Sequence, residues 1–96
     1  MLNKDNINLT GKGKEALLFY IPGHCAGCKR AISILETKEL KDWEIYLVDS
    51  EDENNRPLIE KYNVSTAPTI VTFNNGEVDQ TIVGLRDFLQ KKEIFE

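Results

Sequence analysis

Ala16-Leu17-Leu18-Phe19-Tyr20-Ile21 is an unbroken apolar run, closed by Pro22-Gly23 and followed at once by two cysteines, Cys25 and Cys28. A run without polar alternation has no face to offer to water. It reads as a strand covered on both sides, the pattern of a parallel sheet centre. Pro22-Gly23 stops it. From Cys28 the apolar residues fall at 28, 31, 32 and 35, which is helical spacing, and the helix is expected to run to about Leu40. A buried strand feeding directly into a helix demands further elements to close the sheet.

The rest of the chain supplies them. Trp43–Val48 reads as a second strand. Asn54 or Asn55 suits the cap of a short helix with Pro57 in its first turn, carrying Leu58, Ile59 and Tyr62. Thr69–Phe73 is a third strand, and Asn74-Asn75-Gly76 accepts the positive φ of a tight reversal, so Glu77–Val83 returns antiparallel. Gly84 precedes a last helix, Leu85–Phe95, with Leu85, Phe88, Leu89 and Phe95 facing inward. Parallel neighbours require right-handed crossovers. The expectation is an α/β fold: a central mixed sheet, a parallel pair plus an antiparallel C-terminal hairpin, flanked by helices on both faces. Residues 1–96 form one domain, with residues 1–14 a variable segment whose anchors Leu2, Ile7 and Leu9 suit a short strand or helix. Gly11-Lys12-Gly13-Lys14 reads as a turn and lacks the spacing of a phosphate loop.

Size and charge narrow the function. An 11.0 kDa chain should fold to a surface of roughly 5,600 Å² and afford one core. The apolar run is far shorter than the ~20 residues a membrane span needs, and no basic-then-apolar leader precedes it, so neither a membrane nor export is expected. Twelve basic and sixteen acidic residues give a net charge of −4, which argues against nucleic acid as a partner. The first half carries +1 and the second −5, sharpest at Asp49-Ser50-Glu51-Asp52-Glu53. That acidic loop is either a solvated loop or a bias toward basic partner surfaces.

Two cysteines are too few for a stapled secreted scaffold, and a two-residue spacing closes too small a loop to stabilise a fold. The pair is better explained by chemistry. At a helix start, Cys25 would meet unpaired N–H groups and partial positive charge, which favour a thiolate. Lys29 and Arg30 add positive potential. Cys28, one turn deeper, is within reach of a mixed disulfide formed at Cys25. His24 either stabilises the Cys25 thiolate, when protonated, or presents a side chain to a partner. Thr66-Ala67-Pro68-Thr69 places a proline just before a buried strand. A cis Ala67–Pro68 bond there would expose backbone groups of Ala67 to an extended substrate. Metal is the rival use of the sulfurs, but structural zinc wants four ligands and His24, Cys25 and Cys28 offer three.

Cys25-Ala26-Gly27-Cys28-Lys29, Ala67-Pro68-Thr69, and Phe73-Asn74-Asn75-Gly76-Glu77 followed by Val83-Gly84 together resemble the thioredoxin family over residues 15–95. The resemblance implies a thioredoxin-like fold and a thiol–disulfide oxidoreductase: Cys25 the nucleophile, Cys28 the resolving thiol, and Ala67, Pro68, His24 and Gly84 contacting substrate. His24 and Lys29 would tune the thiol. No cofactor need be bound. Electrons would come from an NADPH-dependent flavin reductase or glutathione, and the partners would be proteins carrying disulfides. A cytoplasmic monomer is expected. The departures matter. His24 replaces a usual Trp, and Ala26-Gly27 a usual Gly-Pro. Phe19 and Ile45 stand where an Asp and a Lys are often buried, leaving Cys28 no obvious base. A glutathione-linked, glutaredoxin-like reductase, or a carrier of metal or an iron–sulfur cluster through Cys25, are the alternatives.

Overall fold

The computed structural model describes residues 1–4 and 6–96. Its elements are β1 (Leu2–Asn3), β2 (Lys14–Tyr20), α1 (Ala26–Glu36), β3 (Trp43–Asp49), α2 (Arg56–Lys61), β4 (Thr69–Asn74), β5 (Glu77–Val83) and α3 (Gly84–Lys91). The sheet order is β1-β3-β2-β4-β5. β3 lies parallel to β1 and β2, whereas β4 is antiparallel to both β2 and β5. The surface of 5917 Å² is close to that of a single compact domain of this mass.

β2 is the centre of the sheet, which is why it tolerates no polar alternation. Ala16 and Leu18 face one layer with Ala31 and Leu35 of α1 and Phe88 of α3. Leu17 and Phe19 face the other with Leu58 and Ile59 of α2. Ile21, expected as the last residue of this strand, lies beyond it and is 38% exposed. The β2 ladder closes at the Tyr20–Asp49 pair, so nothing holds Ile21 in the sheet.

Two further boundaries and one helix cap differ from expectation. α1 ends at Glu36, not near Leu40. Thr37 caps it, its N–H and hydroxyl both donating to the Ile34 carbonyl at 3.1 and 2.6 Å. Leu40 is buried all the same, at φ 54°, as part of a loop. Its apolar character extended the periodicity past the true end. Asn55 does precede α2, but its side chain makes no capping bond and donates instead to the Asp49 carbonyl at 2.9 Å. The last helix gives way after Lys91 to a 3-10 turn, Lys92–Phe95. Phe95 is nevertheless buried, its ring packed at a tilt against Trp43 with centroids 4.7 Å apart.

The segment before residue 14 adds a fifth strand, since Leu2 and Asn3 pair with Ile45 and Tyr46. Asn75 and Gly76 take φ 51° and 88° in the hairpin between β4 and β5, as a two-residue reversal requires. The hairpin docks onto the first turn region, with Asn75 N–H donating to Gly13 C=O and Asn75 Oδ1 accepting from Gly13 N–H, both at 2.9 Å.

Candidate active site

Sheet register gathers the site. Parallel pairing of β2 and β3 sets Tyr20 opposite Asp49. Antiparallel pairing sets Phe19 opposite Thr69, and Thr69 opposite Val83. The Cys25 loop, the Asp49–Glu53 loop, the Ala67–Pro68 bond and Gly84 therefore all emerge at one end of the sheet. This is the carboxyl end of the parallel strands, where α/β sheets commonly place their ligands.

Cys25 is the N-cap of α1, in extended conformation, and its sulfur accepts from the Cys28 N–H at 3.1 Å. A sulfur here takes a role usually held by a serine or aspartate oxygen. Negative charge on it is stabilised by the N–H and by the helix dipole. No acidic residue sits in the first turn of α1 to offset this. His24, Lys29 and Arg30 are exposed around it. Cys25 is half-buried and Cys28 only 1% exposed. The two are joined in a disulfide, their Cα atoms 5.2 Å apart.

The second half of the site comes from the start of β4. The Ala67–Pro68 bond is cis. The Ala67 carbonyl oxygen lies 3.8 Å from the Cys25 sulfur, close enough to accept from that thiol once the disulfide is opened. Two bonds fix this corner. The Thr69 hydroxyl donates to the Thr66 carbonyl at 2.6 Å, and the Gly84 N–H donates to the Pro68 carbonyl at 2.8 Å. Gly84 thus holds the proline loop through its backbone. Gly27 matters through what it lacks. A Cβ there would come within 3.3 Å of Pro68 Cδ and 3.4 Å of the Leu85 Cβ.

Behind the disulfide the layers are apolar. Phe19 and Ile45 are both fully buried. Glu15 is a buried carboxylate, but it lies five residues back along β2 from Tyr20, about 16 Å at 3.3 Å per residue. The acidic loop is largely occupied with its own folding. Asp49 accepts from the Glu51 N–H at 2.8 Å, Asp52 from the Asn54 N–H at 3.0 Å, and Glu53 pairs with Arg56 through two contacts of 3.0 Å. Arg56 accordingly holds the Glu53 carboxyl below its ordinary range, chiefly through that hydrogen bond. Among the described residues, no group of three or more His, Cys, Asp or Glu side chains is gathered as a metal site.

Comparison with known proteins agrees with this geometry. The thioredoxin family model matches residues 4–94. The chain belongs to the thioredoxin family. It is 39% identical over 74 residues to a thioredoxin of Rickettsia typhi, an alignment covering 75% of this chain and 67% of that protein. A thioredoxin of Chlamydia caviae is 27% identical over 87 residues, covering 91% of this chain and 85% of the other. Among solved structures, a mutant thioredoxin of Halobacterium salinarum superposes with a TM-score of 0.73 at 29% identity, over 88% of this chain and 74% of that one. The fold is the thioredoxin fold, and the protein is a dithiol–disulfide oxidoreductase acting on protein disulfides through its Cys25–Cys28 pair. As in the family, the chemistry needs no bound cofactor and draws electrons from a reductase.

Proposed function

We propose that Cys25 is the attacking thiol and Cys28 the resolving one. The observation that carries this assignment is the asymmetry of the pair. Cys25 is partly open at the helix N-terminus with an N–H aimed at its sulfur, whereas Cys28 is sealed beneath it. In the reduced protein, the Cys25 thiolate attacks one sulfur of a substrate disulfide. That bond breaks, and the first substrate thiolate leaves and takes a proton from water. Cys28, after losing its proton, attacks the Cys25 sulfur of the mixed disulfide, and the second substrate thiolate departs. Two electrons have passed to the substrate, and the protein holds the Cys25–Cys28 disulfide.

Ala67 and Pro68 form the groove beside the reacting sulfur, where an extended substrate segment pairs with the Ala67 backbone. Lys29 supplies positive potential to the thiolate, and His24 borders it as a contact for the substrate or, when protonated, as a second positive group. Recharging comes from an NADPH-dependent flavin reductase. The protein acts as a monomer in the cytoplasm, whose reducing poise keeps such a dithiol supplied.

The test is a trap. Cys28→Ser with Cys25 intact leaves the mixed disulfide unresolved. A covalently held protein substrate supports the assignment. Glutathione alone would transfer it to a glutathione-linked reductase, and an empty trap would overturn both.

A further inference from the structure

An open cavity of about 650 Å³ lies beside β3, and neither cysteine lines it. Its floor is aliphatic. Ile7 and Leu9 come from the segment before β2, Leu47 from β3 and Leu58 from α2, and all four are half-buried. Tyr20 adds a phenol, and Asp49, Asp52, Asn6, Asn55 and Lys4 complete the rim.

The rim is set in place but not used up. Asp49 accepts from the Glu51 N–H at 2.8 Å and Asp52 from the Asn54 N–H at 3.0 Å, each through Oδ1. Among the described residues, the second oxygen of each carboxylate meets no donor. Asn55 is held by its Nδ2, which donates to the Asp49 carbonyl at 2.9 Å, so its Oδ1 is left as an acceptor. Burial first, and the Asp49 charge second, hold the Tyr20 phenol above its ordinary range. It therefore stays neutral, able to donate or accept. The cation on the rim, Lys4, has a counter-charge outside it, since its Nζ lies 3.4 Å from Glu36 Oε2. The two aspartates thus leave the cavity with negative charge, acceptors and an apolar base.

We propose that this cavity is a docking site for an arginine side chain of a partner protein. A guanidinium presents a planar fork of donors, which suits two carboxylate oxygens whose positions are already fixed. Its three-carbon stem is covered by an aliphatic floor while the charge stays at the rim. The Tyr20 ring offers the guanidinium a π face. An acidic side chain would meet like charge, and an apolar one would leave the rim unmatched. Tyr20 and Asp49 end β2 and β3 at the same end of the sheet as the Cys25 loop, so a partner seated there faces the reacting end. Because the cavity stands apart from the sulfurs, it acts on association and not on the exchange step. The inference deepens the disulfide reductase reading and rests on it for the partner's use.

Two capped tripeptides test the site, Gly-Arg-Gly and the same peptide with citrulline, which keeps the shape and loses the charge. Each is titrated into the oxidised protein while backbone amide shifts are followed by NMR. The arginine peptide should give saturable shifts at Leu47, Asp49, Asn55 and Leu58, and should bind about 3- to 10-fold more tightly than the citrulline peptide, as expected for partly exposed ion pairs and one ring contact. Asp49→Asn combined with Asp52→Asn keeps the turn-forming oxygens and should make the two peptides equal. Glu51→Gln combined with Glu53→Gln removes the same charge outside the cavity and should leave the preference in place. Equal affinities in the parent, shifts elsewhere, or equal loss in both double variants would overturn the docking site. Reduction of a cysteine-dimerised peptide without basic residues serves as the independent check. It should run at the parental rate in Asp49→Asn/Asp52→Asn, so that lost arginine binding reports on the cavity; if the parent itself does not reduce it, the Cys25 assignment falls instead.

Discussion

Removing the Glu15 carboxylate should separate anchoring from catalysis. Glu15 is 1% exposed on the central strand. Its Oε2 accepts from the Thr10 N–H and hydroxyl at 2.7 and 3.1 Å, and its Oε1 from the Gly11 N–H at 3.0 Å. Each hydrogen bond to a charged group contributes about 1.5–3 kcal/mol. Desolvation of the carboxylate offsets part of that sum, and water can reach the exposed Thr10 and Gly11 once the side chain is cut back. Glu15→Ala should therefore cost about 2–3 kcal/mol of the total stability. Glu15→Gln should cost less, about 1–2 kcal/mol, because its amide oxygen still accepts while its NH₂ faces a donor. Urea unfolding measures both, and hydrogen exchange should show faster exchange at Thr10 and Gly11. The carboxylate lies too far from Cys28 to take its proton, so the pH profile of disulfide reduction by Glu15→Gln should match the parent. A stability loss under 0.5 kcal/mol would refute the anchoring argument; a displaced pH profile would refute the distance argument.

Gly27→Val should lower stability by about 1–3 kcal/mol through overpacking against Pro68 and Leu85, and should slow disulfide reduction; an unmoved urea midpoint would contradict this. Asp87 is held below the ordinary aspartate range, first by the Val83 N–H, with Lys91 helping and burial opposing. Its stabilising contribution is present above the unfolded value near ~3.9 and is lost as pH falls through the lower folded one. Asp87→Asn should accordingly flatten the decline of melting temperature below about pH 4, and an identical decline in both proteins would remove that role. His24→Ala should raise the pH midpoint of Cys25 alkylation if the imidazole favours the thiolate; an unchanged midpoint would leave His24 a contact residue only.

Much of this fold could be read before it was seen, because its centre is written in local terms. The apolar run of β2, the Asn75-Gly76 reversal and the spacing of Cys28, Ala31 and Leu35 each declare their element within a few residues. What escaped local reading depends on distant partners. β1 is two residues long and exists only through its ladder with Ile45 and Tyr46. Leu40 looked helical because it is apolar, yet it reaches the core from a loop that turns back at positive φ. Ile21 looked buried for the same reason, and only the end of the β2–β3 ladder shows it reaching solvent. At the site, the cysteines could be named from their spacing, and Pro68 from its place before a strand. The bond from the Gly84 N–H to the Pro68 carbonyl could not, because it joins residues that only the pairing of β4 with β5 brings together.

The bond between Gly84 and Pro68 and the approach of Ala67 to Cys25, 42 residues away in sequence, have a consequence for when chemistry begins. A cysteine pair in a loose chain still exchanges disulfides, but with any comer. Discrimination is assembled only when the second half of the polypeptide has docked against the first. Selectivity in this molecule is thus a property of the finished architecture, and partial unfolding would leave a reactive thiol that had lost its judgement.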